Sequence, residues 1–475
     1  MSEEINYDIC IIGAGSAGLS IAAGAAQMGA RTVLVEAGRM GGDCLNTGCV
    51  PSKSLLAAAK AAKAMRGARR FGVEAGEPHV DFAAVIAHVH DVIASIAPHD
   101  SVERFVELGC TVIQSRARFI NERTIEAGGK TLRARRFVVA TGSRAAIPAI
   151  PGLDEAPYFT NETIFDNTVL PDHLLVIGAG PIGCEMAQAH RRLGARVTLL
   201  DIGPMLPKDD TEAADVVREA FVAEGIDISE KVEITRIEKR HDGVAVVLRR
   251  DADEQRIEGS HLLIAAGREP NVENLGLDAA GVRCSAAGVE VDARLRTTNK
   301  HIFAAGDVTG GLQFTHMANY HAGIIIRNAL FRLPAKNKPE AFPWVTYTDP
   351  ELAQVGLTEA KAKDRHGDSV RILRAEFKDN DRARAERETQ GFLKAVTTKR
   401  GLVLGATIVG HNAGELIAPW TLAISQGLKI GALANIIMPY PTLSEISKRS
   451  AGSYYTPTLF SPRTQRLVRF LRIFG

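Results

Sequence analysis

Tyr7-Asp8-Ile9-Cys10-Ile11-Ile12, followed at once by Gly13-Ala14-Gly15-Ser16-Ala17-Gly18, decides how this chain folds. The stretch from Tyr7 to Ile12 is a short apolar run rich in isoleucine, suited to a strand buried on both faces. The glycines fall in the spacing GxGxxG. An alanine-rich stretch follows, then a second strand-like run, Thr32–Val35, ending in Glu36. Strand, glycine turn, helix, strand and acid within about 30 residues is a dinucleotide-binding fingerprint in its required context. The glycines permit the tight turn and let a pyrophosphate approach the helix N-terminus. Glu36 is then placed to accept hydrogen bonds from a ribose. A GxGxxG alone is a weak signal; with its strands and acid it is strong.

The pattern recurs. Leu174–Ile177 reads as a strand, Gly178-Ala179-Gly180-Pro181-Ile182-Gly183 as the turn and Cys184–Arg192 as the helix. Arg196–Leu200 is the returning strand, ending in Asp201. Two such units imply a cofactor that stays bound and a second nucleotide that comes and goes. A carboxylate at the strand end pairs with a free ribose 2′-OH and repels a 2′-phosphate. No basic residue follows Asp201 before Lys208, which favours NADH over NADPH.

Val138-Val139-Ala140-Thr141-Gly142 ends another strand, Leu262–Gly267 repeats the idea, and Ile302–Ala305 closes on Gly306-Asp307. Proline and polar residues around Leu333–Phe342 mark a linker. From about Trp344 onward there is no nucleotide fingerprint, and strand-like alternation with two helical stretches reads as a separate α+β domain. The expected fold class is α/β, with two Rossmann-like nucleotide-binding domains and a C-terminal α+β domain.

Composition narrows the function. The 475 residues carry 57 Lys+Arg against 55 Asp+Glu, and a net charge of +2 argues against nucleic acid as the main partner. No apolar run approaches the roughly 18–20 residues that span a bilayer, and the N-terminus lacks a basic-then-apolar signal. The expectation is therefore a cytoplasmic protein, neither membrane-integral nor secreted. Six cysteines are too few for a disulfide framework in so long a chain. Only Cys44 and Cys49 lie close together, with no second pair to complete a zinc site, so no metal site is expected.

That pair sits in Gly41-Gly42-Asp43-Cys44-Leu45-Asn46-Thr47-Gly48-Cys49-Val50-Pro51-Ser52-Lys53. On an ideal helix, residues five apart lie about 8.7 Å from each other. That exceeds the limit of about 7 Å for a disulfide, so pairing demands a distorted turn, which Gly41, Gly42 and Gly48 allow. Lys53, four residues past Cys49, shares its face if the helix continues, and a cation there favours the thiolate. Two buried, unpaired cysteines are the bland alternative.

With these motifs the chain resembles the FAD-dependent pyridine nucleotide-disulfide oxidoreductases, the group of dihydrolipoamide dehydrogenase, glutathione reductase and mercuric reductase. The resemblance covers about residues 5–455, and the Cys44–Lys53 motif is its most specific element. It implies FAD at the first fingerprint, near Gly13, Gly15, Gly18, Glu36, Gly42, Lys53, Ala117, Thr141, Gly142, Gly306 and Asp307. It implies NAD(H) at the second, near Gly178, Gly180, Gly183, Asp201, Val232 and Gly267. Glu185 matches the family glutamate that pairs with the lysine beside the flavin. The implied layout is an FAD domain in two parts, 1–150 and 271–343, an inserted NAD(H) domain, 151–270, and a dimer-interface domain, 344–475. The implied mechanism runs from NADH to FAD to the Cys44–Cys49 disulfide, with Cys49 the thiolate beside the flavin and Cys44 the thiol that attacks substrate.

Two features depart from the pattern. Where the family carries His-Pro-x-x-x-Glu to serve the partner subunit, this chain reads Tyr440-Pro441-Thr442-Leu443-Ser444-Glu445. An unperturbed tyrosine titrates near 10 and is a poor base at neutral pH, so Tyr440 either donates a proton or only fills the space. Mercuric reductases carry a C-terminal cysteine pair, whereas no cysteine follows Cys284 here. With Val50-Pro51-Ser52-Lys53 and Asp201, dihydrolipoamide dehydrogenase is the most similar member.

The second departure is the tail. In residues 461–475, arginines recur at 463, 466, 469 and 472 among Leu467, Phe470, Leu471 and Phe474. That is a basic amphipathic helix, which either packs on protein or touches a membrane surface. The expectation is a homodimeric, NADH-dependent FAD disulfide oxidoreductase acting on a small disulfide or dithiol. The alternatives are an NADH:quinone or metal-ion reductase, or a flavin-binding redox sensor.

Overall fold

A computed structural model describes residues 5–250 and 253–474. The chain forms two compact units. The first draws on Met1–Gly178, Ala189–Leu200 and Val232–Lys338, the second on Ala179–Gln188, Asp201–Lys231 and Pro339–Gly475.

The first unit is built on a sheet whose centre is the strand Ile5–Ile12, parallel to Thr32–Glu36 on one side and Lys130–Val139 on the other. Ile9, Cys10 and Ile11 are fully buried, as a central parallel strand covered on both faces requires. Cys110–Gln114 extends the sheet beyond Thr32–Glu36. The long strand Lys130–Val139 has two partners on its other edge. Its first half pairs antiparallel with Thr124–Ala127, and its last three residues pair parallel with Ile302–Ala304. A segment from far along the chain thus joins the first fingerprint's sheet. The carboxyl ends of three parallel strands, at Ile12, Val139 and Ala304, then feed Gly13, Thr141-Gly142 and Gly306-Asp307 to one edge, where ligands bind in open α/β sheets.

A second parallel sheet in this unit runs Arg196–Leu200, His173–Ile177, His261–Ile264, the middle strand wholly buried. A three-stranded antiparallel sheet, Glu233–Arg240, Gly243–Arg250 and Asp253–Gly259, stands beside it in sequence.

In the second unit, an antiparallel sheet orders its strands Pro343–Thr346, Glu351–Gly356, Val403–Gly410, Phe392–Thr398, Val370–Glu376. Its core gathers around Trp420, fully buried, whose indole N–H donates to Ser447 Oγ at 3.1 Å.

The stretch Phe82–Glu107 is long and apolar enough by length and composition to cross a membrane, with mean hydropathy 1.2. Its valines and isoleucines raise the average, but His88, His90, Asp91, Ser95 and Pro98 interrupt it, so it holds no unbroken apolar run. The helix Phe82–Ile96 runs into a 3-10 turn, Ala97–Asp100, and the extended backbone of Ser101 breaks the stretch before the helix Val102–Glu107.

Candidate active site

The first fingerprint closes around backbone. Gly13 has φ 107°, and a Cβ there would lie 2.3 Å from the Ala140 carbonyl oxygen, so only glycine lets the turn meet the end of the neighbouring strand. Gly15 is the N-cap of the helix Ser16–Gln27 and Gly18 lies on its buried face. Gly42, at φ 59°, lies against Gly15, where a Cβ would come within 2.7 Å of its Cα. Glu36 accepts from Ala14 N–H at 2.5 Å and from Gly38 N–H at 2.6 Å, which holds the acid at the mouth of the turn.

The second fingerprint repeats this chemistry. Gly178 has φ 112°, and its Cβ would meet the Ala265 carbonyl oxygen at 2.3 Å. Asp201 accepts from Ala179 N–H at 2.6 Å and from Gly203 N–H at 2.7 Å, as Glu36 does from Ala14 and Gly38. Nothing lies within 4 Å of the position a Gly180 side chain would take, which leaves the backbone open to a phosphate. Gly183 falls in the first turn of the helix Pro181–Leu193. Both cradles fit a dinucleotide: a turn tight against its strand, open backbone, a helix N-terminus and an acid at the ribose end.

The remaining first-unit residues divide between edge and core. The Thr141 hydroxyl donates to the Asn271 carbonyl at 2.7 Å, and the Asn271 side chain returns a bond to the Thr141 carbonyl at 2.9 Å. Gly142 (φ 68°) follows, its carbonyl accepting from Asn271 N–H at 2.9 Å. Gly267 accepts from Ala146 N–H at 3.0 Å. Ala117 and Val232 are buried and offer a ligand only backbone. Gly306 donates its N–H to Nδ1 of the buried His321 at 3.2 Å, which requires that nitrogen unprotonated. Burial pushes the His321 pKa down to about 4.

Cys44 and Cys49 are free thiols in this structure, Cys44 half-buried and Cys49 exposed. Cys44 sits in the short helix Gly42–Asn46, and Cys49 is the first residue of the helix Cys49–Gly67. The break that their spacing demands falls at Thr47-Gly48. A Cβ on Gly48 would come within 2.9 Å of the Asp43 carbonyl oxygen. Each sulfur is the leading influence on the other's titration, in opposite directions. Cys49 is lowered, first by the Cys44 thiol, then by Thr315 and the Lys53 charge, against its partial burial. Cys44 is raised, first by the Cys49 thiolate and then by burial. The N-terminus of the helix adds its dipole to the stabilisation of Cys49 as thiolate.

Thr315 is a residue that sequence reasoning missed. It opens the helix Thr315–Ala329, and its Oγ1 lies 3.5 Å from Cys49 Sγ. A polar chain behind the pair was missed as well. Asp43 accepts from Asn161 at 2.9 Å and from the Thr47 hydroxyl at 2.8 Å, and pairs with Arg268 at 3.1 Å. Arg268 donates to Ser143 Oγ at 2.8 Å, and Ser143 donates to Asp307 at 2.7 Å. Burial raises the Asp307 pKa, opposed by Ser143 and the Arg268 charge. The only sequence signal for Arg268 is its place directly after Gly267.

In the second unit Glu185 is buried, and its Oε1 accepts from Tyr347 N–H at 3.0 Å. Lys53 belongs to the first unit and sits 3.4 Å from Ser52 Oγ. Tyr440 is 71% exposed, precedes a cis bond to Pro441, and donates its phenol to Asp381 Oδ2 at 3.3 Å. The Asp381 charge and this hydrogen bond raise the phenol pKa above its ordinary value. Glu445 opens the helix Glu445–Ser453 and accepts from Thr442 N–H at 3.5 Å, the far limit of a hydrogen bond. Among the described residues, no group of three or more His, Cys, Asp or Glu could hold a metal ion.

Comparison with known proteins places the chain. A family model described as pyridine nucleotide-disulphide oxidoreductase matches residues 7–322, and that family's dimerisation domain matches residues 342–451. A mercuric reductase from Bacillus cereus is 37% identical over 443 residues, 93% of this chain and 70% of the relative. A dihydrolipoyl dehydrogenase from Thermus scotoductus is 35% identical over 460 residues, 92% of this chain and 95% of the relative. Among solved structures, LpdA from Mycobacterium tuberculosis matches with TM-score 0.86 at 27% identity, over 94% of this chain and 99% of that one. A Cu(II) complex of RclA, an HOCl-induced flavoprotein disulfide reductase from Escherichia coli, matches with TM-score 0.85 at 27% identity, over 94% and 99%. Identity alone does not set the mercuric reductases behind the dihydrolipoyl dehydrogenases.

Proposed function

The chain belongs to the pyridine nucleotide-disulphide oxidoreductases, flavoprotein enzymes that use FAD and NAD(P)H, and on that premise we propose an NADH-dependent reductase of a small disulfide. The observation that carries the reading is the asymmetric pair, with Cys49 lowered at a helix N-terminus and Cys44 raised beside it. When bound, FAD supplies the transfer of reducing equivalents from nicotinamide to the cysteine pair. Glu36, Gly13 and the Asp43–Arg268–Asp307 chain hold and orient it. Asp201 at the second ribose position supports NADH as the donor.

In the reduced pair Cys49 holds negative charge and Cys44 holds the proton. Reduction of a disulfide requires Cys44 as thiolate, and its proton can pass to Cys49. Cys44 then attacks one sulfur of the substrate and the first thiolate leaves. The departing thiolate takes the proton back from Cys49, and Cys49, a thiolate again, closes on Cys44 and expels the second thiolate, leaving the Cys44–Cys49 disulfide, one substrate thiol and one thiolate that water protonates. In a homodimer, we place Tyr440 and Glu445 opposite the cysteine pair of the other protomer. The thiol pair and the small number of cysteines suit the reducing cytoplasm.

A second reading has its own support. Tyr440 keeps its proton under the influence of Asp381 and is no substitute for a thiol base. An acceptor that takes electrons without thiol exchange, a quinone or a metal ion, does not need one. Relatives named mercuric reductase, and a solved RclA structure that carries Cu(II), support a metal ion in that role.

The test is Cys44→Ser, assayed with NADH and either a small disulfide or a quinone. Disulfide reduction is expected to vanish while NADH oxidation by the quinone survives. Retained disulfide reduction would overturn the assignment, and a wild-type enzyme that reduces only quinones or metal ions would establish the second reading.

A further inference from the structure

The chain continues past the family match. The dimerisation domain ends at residue 451, and two more helices, Thr456–Leu459 and Pro462–Leu471, follow. The second is well started. The Ser461 side chain accepts from Thr464 N–H at 3.2 Å, and Pro462 takes the first position, where its missing donor costs nothing.

At about 100° per residue, Leu467, Val468, Phe470 and Leu471 fall on one side of this helix. Arg466, Arg469 and Arg472 fall on the other, while Arg463, in the first turn, falls within the apolar arc between Phe470 and Leu467. The apolar side chains are uncovered: Leu467 is 54% exposed, Phe470 56% and Leu471 53%, with Phe460 at 73% and Phe474 at 74% beside them. Within the subunit, then, these side chains are left exposed, and what covers the face comes from outside it.

Charge says what covers it. From Ile446 to the end the chain carries Lys448, Arg449, Arg463, Arg466, Arg469 and Arg472 and no aspartate or glutamate. The whole chain is only +2, so everything before this stretch is net negative. Two copies of the helix set face to face would oppose arginines with no carboxylate between them, which disfavours a second copy. An anionic sheet of phosphates neutralises all of them at once. Arginines can reach outward to phosphates while their stems lie along apolar neighbours. Ten residues make a rod of about 15 Å, far short of a bilayer, so the helix can only lie along the surface.

We propose that the helix Pro462–Leu471 docks the protein on an anionic phospholipid surface, its apolar side sunk among the acyl chains and its arginines on the lipid phosphates. The arrangement is that of an interfacial basic amphipathic helix, whose hold combines buried apolar area with charge attraction. The proposal stands whichever electron acceptor the enzyme uses.

Co-sedimentation of the full FAD-loaded protein with phosphatidylcholine–phosphatidylglycerol vesicles, and with phosphatidylcholine alone, tests it. Partitioning onto the anionic vesicles is expected to exceed that onto neutral ones by about tenfold or more, and to weaken as salt shortens the screening length. Removal of residues 462–475, or the joint change Arg466→Glu and Arg469→Glu, is expected to abolish binding while NADH oxidation in solution stays unchanged. Phe470→Ser with Leu471→Ser should weaken it on the same vesicles. Equal binding of truncated and full-length protein would overturn the proposal. So would loss of the dimer on truncation, by light scattering, without vesicle binding by the full chain, which would make the helix a subunit contact.

Discussion

The Tyr440 phenol donates to Asp381 Oδ2 at 3.3 Å, so this exposed side chain is tied to a carboxylate that holds its proton in place. The Asp381 charge is the leading cause of its raised pKa. Tyr440→Phe should therefore cost disulfide turnover less than about threefold, since no base is lost. Tyr440→His should raise it by about tenfold or more, the lower end of what a placed general base supplies. Steady-state kcat with a small disulfide measures both. A hundredfold loss in Tyr440→Phe would show that the phenol takes part in proton transfer.

Thr315 stands 3.5 Å from Cys49 and contributes to keeping that sulfur charged. Thr315→Val removes the hydroxyl at nearly equal volume. Alkylation of the reduced enzyme, followed against pH, should then shift its midpoint upward, while Thr315→Ser should restore it. An unchanged midpoint in Thr315→Val would leave Cys44, Lys53 and the helix dipole as sufficient causes.

Arg268 is the one cation that bridges Asp43, beside the cysteines, and Asp307 among these described contacts. Charged hydrogen bonds of this kind are worth about 1.5–3 kcal/mol. Arg268→Gln should weaken FAD retention by roughly tenfold to a hundredfold, with Arg268→Lys between. Fluorescence of released FAD, titrated with mild denaturant, reads the effect. The cysteine pair should react faster with alkylating agent as Asp43 loses its anchor.

His321 makes the turn at Gly306 sensitive to acid. Its pKa is lowered by burial from 6.5 to about 4, and its Nδ1 accepts from Gly306 N–H. A depressed folded-state value means that the stability it contributes is present above the unfolded value. That stability is lost as pH falls from about 6.5 through about 4. Protonation also removes the acceptor that holds Gly306. FAD release should rise steeply toward pH 4 in the wild-type protein. His321→Asn, which offers an amide oxygen that does not titrate, should flatten that rise. An identical acid profile in both would show that another group controls it.

Local chemistry explains which parts of this molecule were readable before the fold was seen. Gly13 and Gly178 are set by a turn that must pass within van der Waals distance of a neighbouring strand, and that demand is written in a six-residue motif. The break between Cys44 and Cys49 was legible because an unbroken helix cannot bring such a spacing together. Thr315, Arg268, Asn161 and Asp381 carry no local pattern, since each works through a residue more than fifty positions away. The tail was legible as amphipathic from its period alone. Whether its apolar face lay against the subunit depended on the rest of the fold.

Lys394 shows how far charge placement supports the second unit. It is almost fully buried in the antiparallel sheet, with Asp210 at 3.0 Å, Glu359 at 3.0 Å and Glu212 in still closer contact. Its pKa is raised despite burial because these carboxylates surround it, and those of Glu212 and Glu359 are lowered in return. A raised lysine keeps its contribution until pH climbs through its folded-state value. The lowered acids keep theirs until pH falls through their own. The cluster therefore holds across the neutral range and weakens at both ends. Glu212 is half exposed, so solvent screens its share, and Asp210 carries most of the cost if the cation is removed. Lys394→Met should destabilise the protein by about 3–5 kcal/mol at pH 7, the range for stranding a buried charge. The loss should shrink near pH 4, where Glu212 and Glu359, no longer held down by the lysine, take up protons. Adding Asp210→Asn to Lys394→Met should recover part of the stability at pH 7, because the stranded charge is then gone. Thermal unfolding of the three variants at both pH values tests the argument, and a Lys394→Met penalty independent of pH would assign it to lost packing instead.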